Sequence, residues 1–570
     1  MSRTRRNRPV GFLRSAAFSG LLSLGVLTLV GVGPGLAQEG TNVKAEAEAF
    51  LQQYFAELSK LEKKEALASW RAANTGKKED FDAAAEAQLA ERKFHSNAQA
   101  YHKVLRLLQH AEQLDPLQVR ALELAKIAYQ SNQLPPELLK QMVDLSTEIE
   151  RLFNTYRGRL DGQRYSNNQL LEMLRNEKDS ARRKRIWEAL KQVGGVVAPK
   201  LVKLAEVRNQ AARQLGFRDY WHMRIRLQEH DPEQLLRIFD ELDRLTRDSF
   251  ARMKAQLDAE VAQRLGIQPD QVMPWDYDNP FFQAPPPSAR VDLDEFFRHR
   301  RKEDIVEIAR RYYTDVGLEV DSVLARSDLY EREGKDQHAF CTDIDREGDV
   351  RILCNIKPTA EWMTTTLHEL GHAVYDLYVD RSLPYNLRRP AHIFTTEGVA
   401  MFFGAKVQQP DWLVRYAGVD SKRVAELADA IREQRRREQL IFARWTLVML
   451  HFEKDFYQNP RQNLNRLWWD YVERYQRVPR PPERDEPDWA SKPHFTIAPV
   501  YYHNYQLGEL FAAQLRHAVA VQRLPDGQKQ LGAFFKEKVF GPGARWKWPE
   551  FVRRATGEEL TAKYFSEEVQ

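Results

Sequence analysis

The chain has 570 residues but only two cysteines, Cys341 and Cys354, and no Asn-x-Ser/Thr acceptor for an N-linked glycan. Two thiols cannot build a disulfide scaffold, and at this length none is needed, because the chain can bury a large core of its own. Internal repeats, heptad arrays and low-complexity tracts are also missing, which removes solenoid and coiled-coil architectures. A surplus of charge is absent once the N-terminus is set apart. Lys and Arg total 86 and Asp and Glu 81, but residues 1–37 hold five arginines and no acid, leaving 81 bases against 81 acids. That balance argues against nucleic acid or a charged membrane surface as a partner.

The N-terminus carries its own pattern. Arg3, Arg5, Arg6, Arg8 and Arg14 precede an apolar run from Ala16 to Val32, and "GLAQ" offers a small-residue cleavage point after Ala37. This is the layout of a secretory signal peptide over residues 1–37. Left uncleaved, the same run would act as an anchor. Either way residues 38–570 are expected to be exported, to a periplasm or beyond the cell.

From Val43 onward the apolar residues recur at helical spacing. Phe50, Leu51, Tyr54, Phe55, Leu58 and Leu61 form one stripe, and Asp231-Pro232 opens a long segment through Leu235, Leu236, Phe239, Leu242 and Leu245. Two Pro-rich stretches, Ile267 to Ser288 and Val478 to Pro493, read as long ordered loops because they carry Trp275, Tyr277, Phe281, Phe282 and Trp489. One region departs from helix. "HAFCTDIDREGDVRILCNI" alternates around a polar turn and predicts a β-hairpin of His338 to Ile344 and Val350 to Ile356. Folding it brings Cys341 near Cys354, so a disulfide is open to the chain, with strand register deciding.

The stretch "TTTLHELGHAVYD" places His368 and His372 four residues apart, with Glu369 beside the first. Residues i and i+4 share a helix face, so both imidazoles can aim at one point. Chance produces this pattern in roughly two of a hundred chains of this histidine content, so context has to decide. Trp362, Leu367, Leu370, Val374 and Leu377 supply the core face of one amphipathic helix. Gly371 inside it costs ~1 kcal/mol relative to Ala, which points to close backbone packing. Twenty-five residues after His372, Glu397 opens another apolar segment and can deliver a third ligand. Two imidazoles and a carboxylate suit a single zinc ion, with Glu369 placed to take a proton from an attacking water.

With these residues the chain resembles the gluzincin oligopeptidases, the angiotensin-converting-enzyme family above all, with thimet oligopeptidase and oligoendopeptidase F as relatives. The likeness is specific from about Gln337 to Leu515. The family's His-Glu-x-Gly-His pattern falls on His368, Glu369, Gly371 and His372, and its third ligand on Glu397. The resemblance implies a mainly α fold: a large, helical, two-lobed zincin peptidase over residues 38–570, with a deep central channel and a small β-hairpin at the active site. His338-Ala339 matches the pair on the family's substrate-binding strand. In "KPHFTIAPVYYHNYQLGEL", Lys492 and His494 match a Lys-x-His pattern and Tyr502 and Tyr505 a Tyr-x-x-Tyr pattern, with Tyr501 competing for the first position. By resemblance Lys492 and the first tyrosine grip a substrate carboxylate, while His494 and Tyr505 stabilise the oxyanion.

Three departures stand out. Met401 replaces the aspartate that in many gluzincins orients a ligand histidine, so another group must hold that imidazole. Asn504 replaces the chloride-binding arginine of the animal enzymes, and Gln337 stands where relatives have their first disulfide cysteine. The expected function is a zinc peptidase releasing C-terminal dipeptides from oligopeptides, acting as a monomer, without nucleic acid or lasting membrane association. An oligoendopeptidase, favoured by the twenty-five-residue spacing and "YQLGEL", is the rival enzyme reading. A peptide-binding protein without turnover is the non-enzyme one, resting on Met401.

Overall fold

The computed structural model describes residues 43–286 and 291–570, so the signal-peptide segment 1–37 and the end of the first Pro-rich stretch lie outside the described residues. The chain is mainly α, as its periodicity implies, with two small two-stranded sheets among the described residues. Helix α1 (Val43–Thr75) buries Phe50, Leu51, Tyr54 and Leu58, while Phe55 and Leu61 at the margins of the stripe stay partly exposed. Its inward face meets Val104, Leu122, Tyr129 and Tyr385 in a small cluster of its own. A much larger core runs from Leu124 to Val569 and contains every helix near the metal-ligand motif.

Strands β1 (Gly158–Leu160) and β2 (Gln163–Tyr165) form a hairpin that the sequence reading passes over. Asp161 and Gly162 make its two-residue turn with φ of 50° and 80°, the left-handed pair that such a turn requires. Helix α2 (Pro232–Leu265) begins where Asp231-Pro232 implies. The Asp231 carboxylate accepts the Glu233 and Gln234 N–H groups, and left-handed Gly266 ends the helix. The Pro-rich loops are ordered around their aromatics, with Trp275, Tyr277, Phe282 and Trp489 buried.

The predicted hairpin exists but is shorter than its alternation implies: β3 (Phe340–Asp343) pairs antiparallel with β4 (Val350–Leu353). Asp336 accepts the His338 N–H at 3.0 Å, so His338 and Ala339 turn before the strand begins. Beyond Leu353 the chain bonds to another neighbour, with the Cys354 N–H donating to the Asp328 carbonyl at 2.8 Å and the Ile356 N–H to that of Leu329 at 2.9 Å. That segment covers the outer edge of β4 and leaves β3 as the edge strand. Register settles the disulfide question. Cys341 stands opposite Ile352, not Cys354, and both cysteines are free thiols.

Helices α3 (Ala360–Leu377), α4 (Ile393–Gly404), α5 (Ser421–Gln458) and α6 (Tyr502–Val521) position the site. Ten of the twelve residues of α4 are buried, because α3 and α6 cover it from two sides. The approach is set by glycines. A Cβ on Gly371 of α3 would lie 2.8 Å from the Ala400 Cα of α4, and one on Gly398 of α4 would lie 2.9 Å from the Gly508 carbonyl oxygen of α6. The closeness inferred from Gly371 is thus real, and it brings ligands from two helices together. In α3 itself, Leu367, Leu370 and Val374 are buried, whereas Trp362 and Leu377 at its ends are only partly so.

Candidate metal centre

His368, His372 and Glu397 converge. Their ligand atoms all lie within 4.8 Å of one another, and no other such group occurs among the described residues. The two Nε2 atoms are 3.2 Å apart, and Glu397 Oε2 is 3.7 Å from that of His368 and 3.9 Å from that of His372. Donors at zinc bonding distance in a tetrahedron stand ~3.3 Å apart, so the set fits such an ion with a small inward movement of the carboxylate. The backbone is pinned beside it, where the Tyr313 hydroxyl donates to the Leu367 carbonyl at 2.6 Å.

Electrostatics favour a cation here. Burial pushes Glu397 up to about 7; burial, then the nearby Glu397, push Glu369 up to about 8. Among the described residues neither carboxyl forms an ion pair with lysine or arginine. Burial also depresses both imidazoles, His368 to about 4, which keeps them neutral and able to ligate. A divalent ion is the countercharge that two crowded carboxyls and two neutral imidazoles lack. The expected base, Glu369, is 5% exposed, and the Cys341 N–H of β3 opposes the rise in its pKa. The hairpin therefore reaches the centre through its backbone.

The other residues singled out from the sequence fall into three groups. Tyr501 and Tyr505 pack together, their rings 5.1 Å apart, near enough to Glu397 for its charge to add to the dominant effect of burial in raising both phenols. The Tyr501 hydroxyl is buried and has no hydrogen-bond partner among the described residues. Tyr502 turns the other way, its ring 4.7 Å from that of His494 and 5.5 Å from the Lys492 ammonium. Lys492 sits in an aromatic box with Phe281 and Trp445 at 5.4 and 5.1 Å, and donates to Gln283 Oε1 at 2.7 Å. Burial brings its pKa down to about 7. His338, at the hairpin's start, is exposed beside Asp336, 3.3 Å away, and Ala339 is buried.

Several contributors were not read from the sequence. Gln283 is one; Thr396, whose hydroxyl lies 2.7 Å from His372 Nδ1, is another. A third is the clamp on Val500, a β-branched residue at φ 54° directly before the tyrosines. Its N–H donates to Glu453 of α5 at 2.9 Å, and its carbonyl accepts from Gln228 at 3.0 Å. No helix of the described residues is long and apolar enough to cross a membrane. A separate cleft of about 670 Å³, lined by Leu51, Phe55, Leu117 and Trp546 among others, lies against α1 and shares no residue with the centre.

Comparison with known proteins agrees with the geometry. "Carboxypeptidase 1" of Bacillus subtilis (strain 168) is 26% identical over 257 residues, 40% of this chain and 50% of that protein, so the chain spans about half the length of this relative. The sequence model of the peptidase family M2, angiotensin-converting enzyme, matches residues 41–524. A match across most of the chain makes it a member of the angiotensin-converting enzyme family.

Proposed function

We propose that the protein is an exported, zinc-dependent peptidase that releases dipeptides from the C-termini of oligopeptides. The observation that carries this reading is the convergence of His368, His372 and Glu397 beside the buried Glu369. Zinc held by the three side chains supplies Lewis acidity toward water and the scissile carbonyl. Glu369 takes a proton from the attacking water and passes it to the leaving amine as the C–N bond breaks. Tyr501 and Tyr505 offer O–H donors to the oxygen on which negative charge develops, and His494, beside Tyr502, offers an N–H to the bound peptide. His338 and Ala339 bind substrate backbone at the start of β3, whose open edge accepts an extended peptide without side-chain selectivity. The relative named a carboxypeptidase supports action at a C-terminus.

Lys492 supports it too. A buried cation with Gln283 and Tyr502 beside it selects a free carboxylate. Digesting one decapeptide with a free and with an amidated C-terminus, with and without chelator, tests the reading. Dipeptide products from the free form alone, lost on chelation, are expected. Equal cleavage of both forms would favour the oligoendopeptidase reading, and full activity after verified zinc removal would end the zinc assignment. A monomer that needs neither nucleic acid nor membrane is expected to suffice.

The Lys492 ammonium titrates low, so carboxylate capture carries a pH signature. The charged form binds; as pH rises through about 7 the free protein loses that proton and affinity falls. KM for the free-carboxylate peptide should be lowest below pH 7 and climb by up to ~10-fold per unit above it. In Lys492→Met the climb should vanish and KM start high. A KM independent of pH in the parent enzyme would remove Lys492 from this role.

A further inference from the structure

We infer that Thr396 is the positioning residue for His372, a hydroxyl doing for this imidazole what a carboxylate commonly does for a metal-ligating histidine; this rests on the metal-binding reading above. Thr396 immediately precedes the ligand Glu397 on α4 and is 7% exposed. Its Oγ1 lies 2.7 Å from His372 Nδ1, while His372 Nε2 points at the cluster, 3.2 Å from His368 Nε2. A neutral imidazole carries one proton, and a ligating nitrogen must offer a bare lone pair. The proton therefore belongs on Nδ1, where it donates to the Thr396 hydroxyl oxygen. That bond fixes both the tautomer and the rotation of the ring.

Met401 does not compete for the task. Its Sδ packs against α6, 3.2 Å from where a Cβ on Gly508 would sit. A hydroxyl in this role also has a reason in charge. Glu369 and Glu397 already crowd two carboxyls into a buried space without lysine or arginine partners among the described residues. A third carboxylate would add repulsion there, whereas a hydroxyl orients the ring without adding formal charge.

The test is zinc affinity of the full chain, measured by competition with a chelator of known strength, in Thr396→Val, Thr396→Ser and Thr396→Ala. Val keeps the shape but loses the acceptor, and should weaken zinc binding ~10–100-fold, while Ser should stay close to the parent protein. The thermal midpoint of the metal-free proteins serves as the fold control. If Val does not fold, Ala set against Ser decides: loss in Ala with retention in Ser supports the role. Zinc binding as tight in Val as in the parent, or equal weakening in Ser and Ala, overturns it. A parent protein that binds no zinc overturns the metal reading instead.

Discussion

Glu369→Gln should reduce kcat for peptide hydrolysis by ~10²–10⁴-fold, the range that a positioned proton carrier supplies, while zinc stays bound. Glutamine has nearly the same shape and keeps an oxygen for the Cys341 N–H, so the local packing should survive. It cannot take a proton from water. Metal content, peptide affinity and turnover measured on one preparation separate the possible causes. Retained zinc and peptide binding with lost turnover would fit the base assignment, and turnover equal to the parent would refute it. Parent protein that binds peptide and zinc without any turnover would point to the peptide-binding alternative.

Gly371→Val should destabilise the fold by more than ~3 kcal/mol and weaken zinc binding with it. The atom that a Cβ would strike is the Ala400 Cα at 2.8 Å, which is backbone and cannot rotate away as a side chain could. Gly371→Ala is the informative control. Alanine gains ~1 kcal/mol of helix propensity, but the overlap costs ~1–3 kcal/mol, so the balance should still be unfavourable and smaller than for valine. Denaturant midpoints for the three proteins give the order. A Val variant as stable as the parent would show that α3 and α4 separate at little cost, and that their contact does not hold the ligands in register.

The parts of the centre that could be read from the sequence are those where local geometry dictates the answer. Histidines four apart share a helix face whatever surrounds them, and a glycine within an apolar helix signals a neighbour's backbone. Glu397 needed only one adjacent helix. What escaped depends on contacts between distant segments. Gln283 reaches Lys492 from 209 residues away, and the Gln228 and Glu453 bonds to Val500 join three separate parts of the chain. Thr396 leaves no trace, because a threonine beside a ligand looks like any other in a buried helix. Tyr501 and Tyr502 are adjacent on the chain, and only the tertiary packing separates the one near Glu397 from the one near Lys492. The Asp161-Gly162 turn, by contrast, is a local signal of the kind a sequence carries openly. Strand length was overestimated for another reason: alternation continues past Leu353 while the bonding partner changes.

The left-handed valine ahead of the tyrosines has an evolutionary and practical corollary. Valine resists that backbone shape, so the buried Glu453 and the partly buried Gln228 that grip it act as a latch, and neither is among the three side chains that converge at the centre. Sequence drift at Glu453 or Gln228 would therefore release the backbone ahead of Tyr501 while His368, His372 and Glu397 keep their places on their helices, a kind of damage that a census of the three converging side chains would miss.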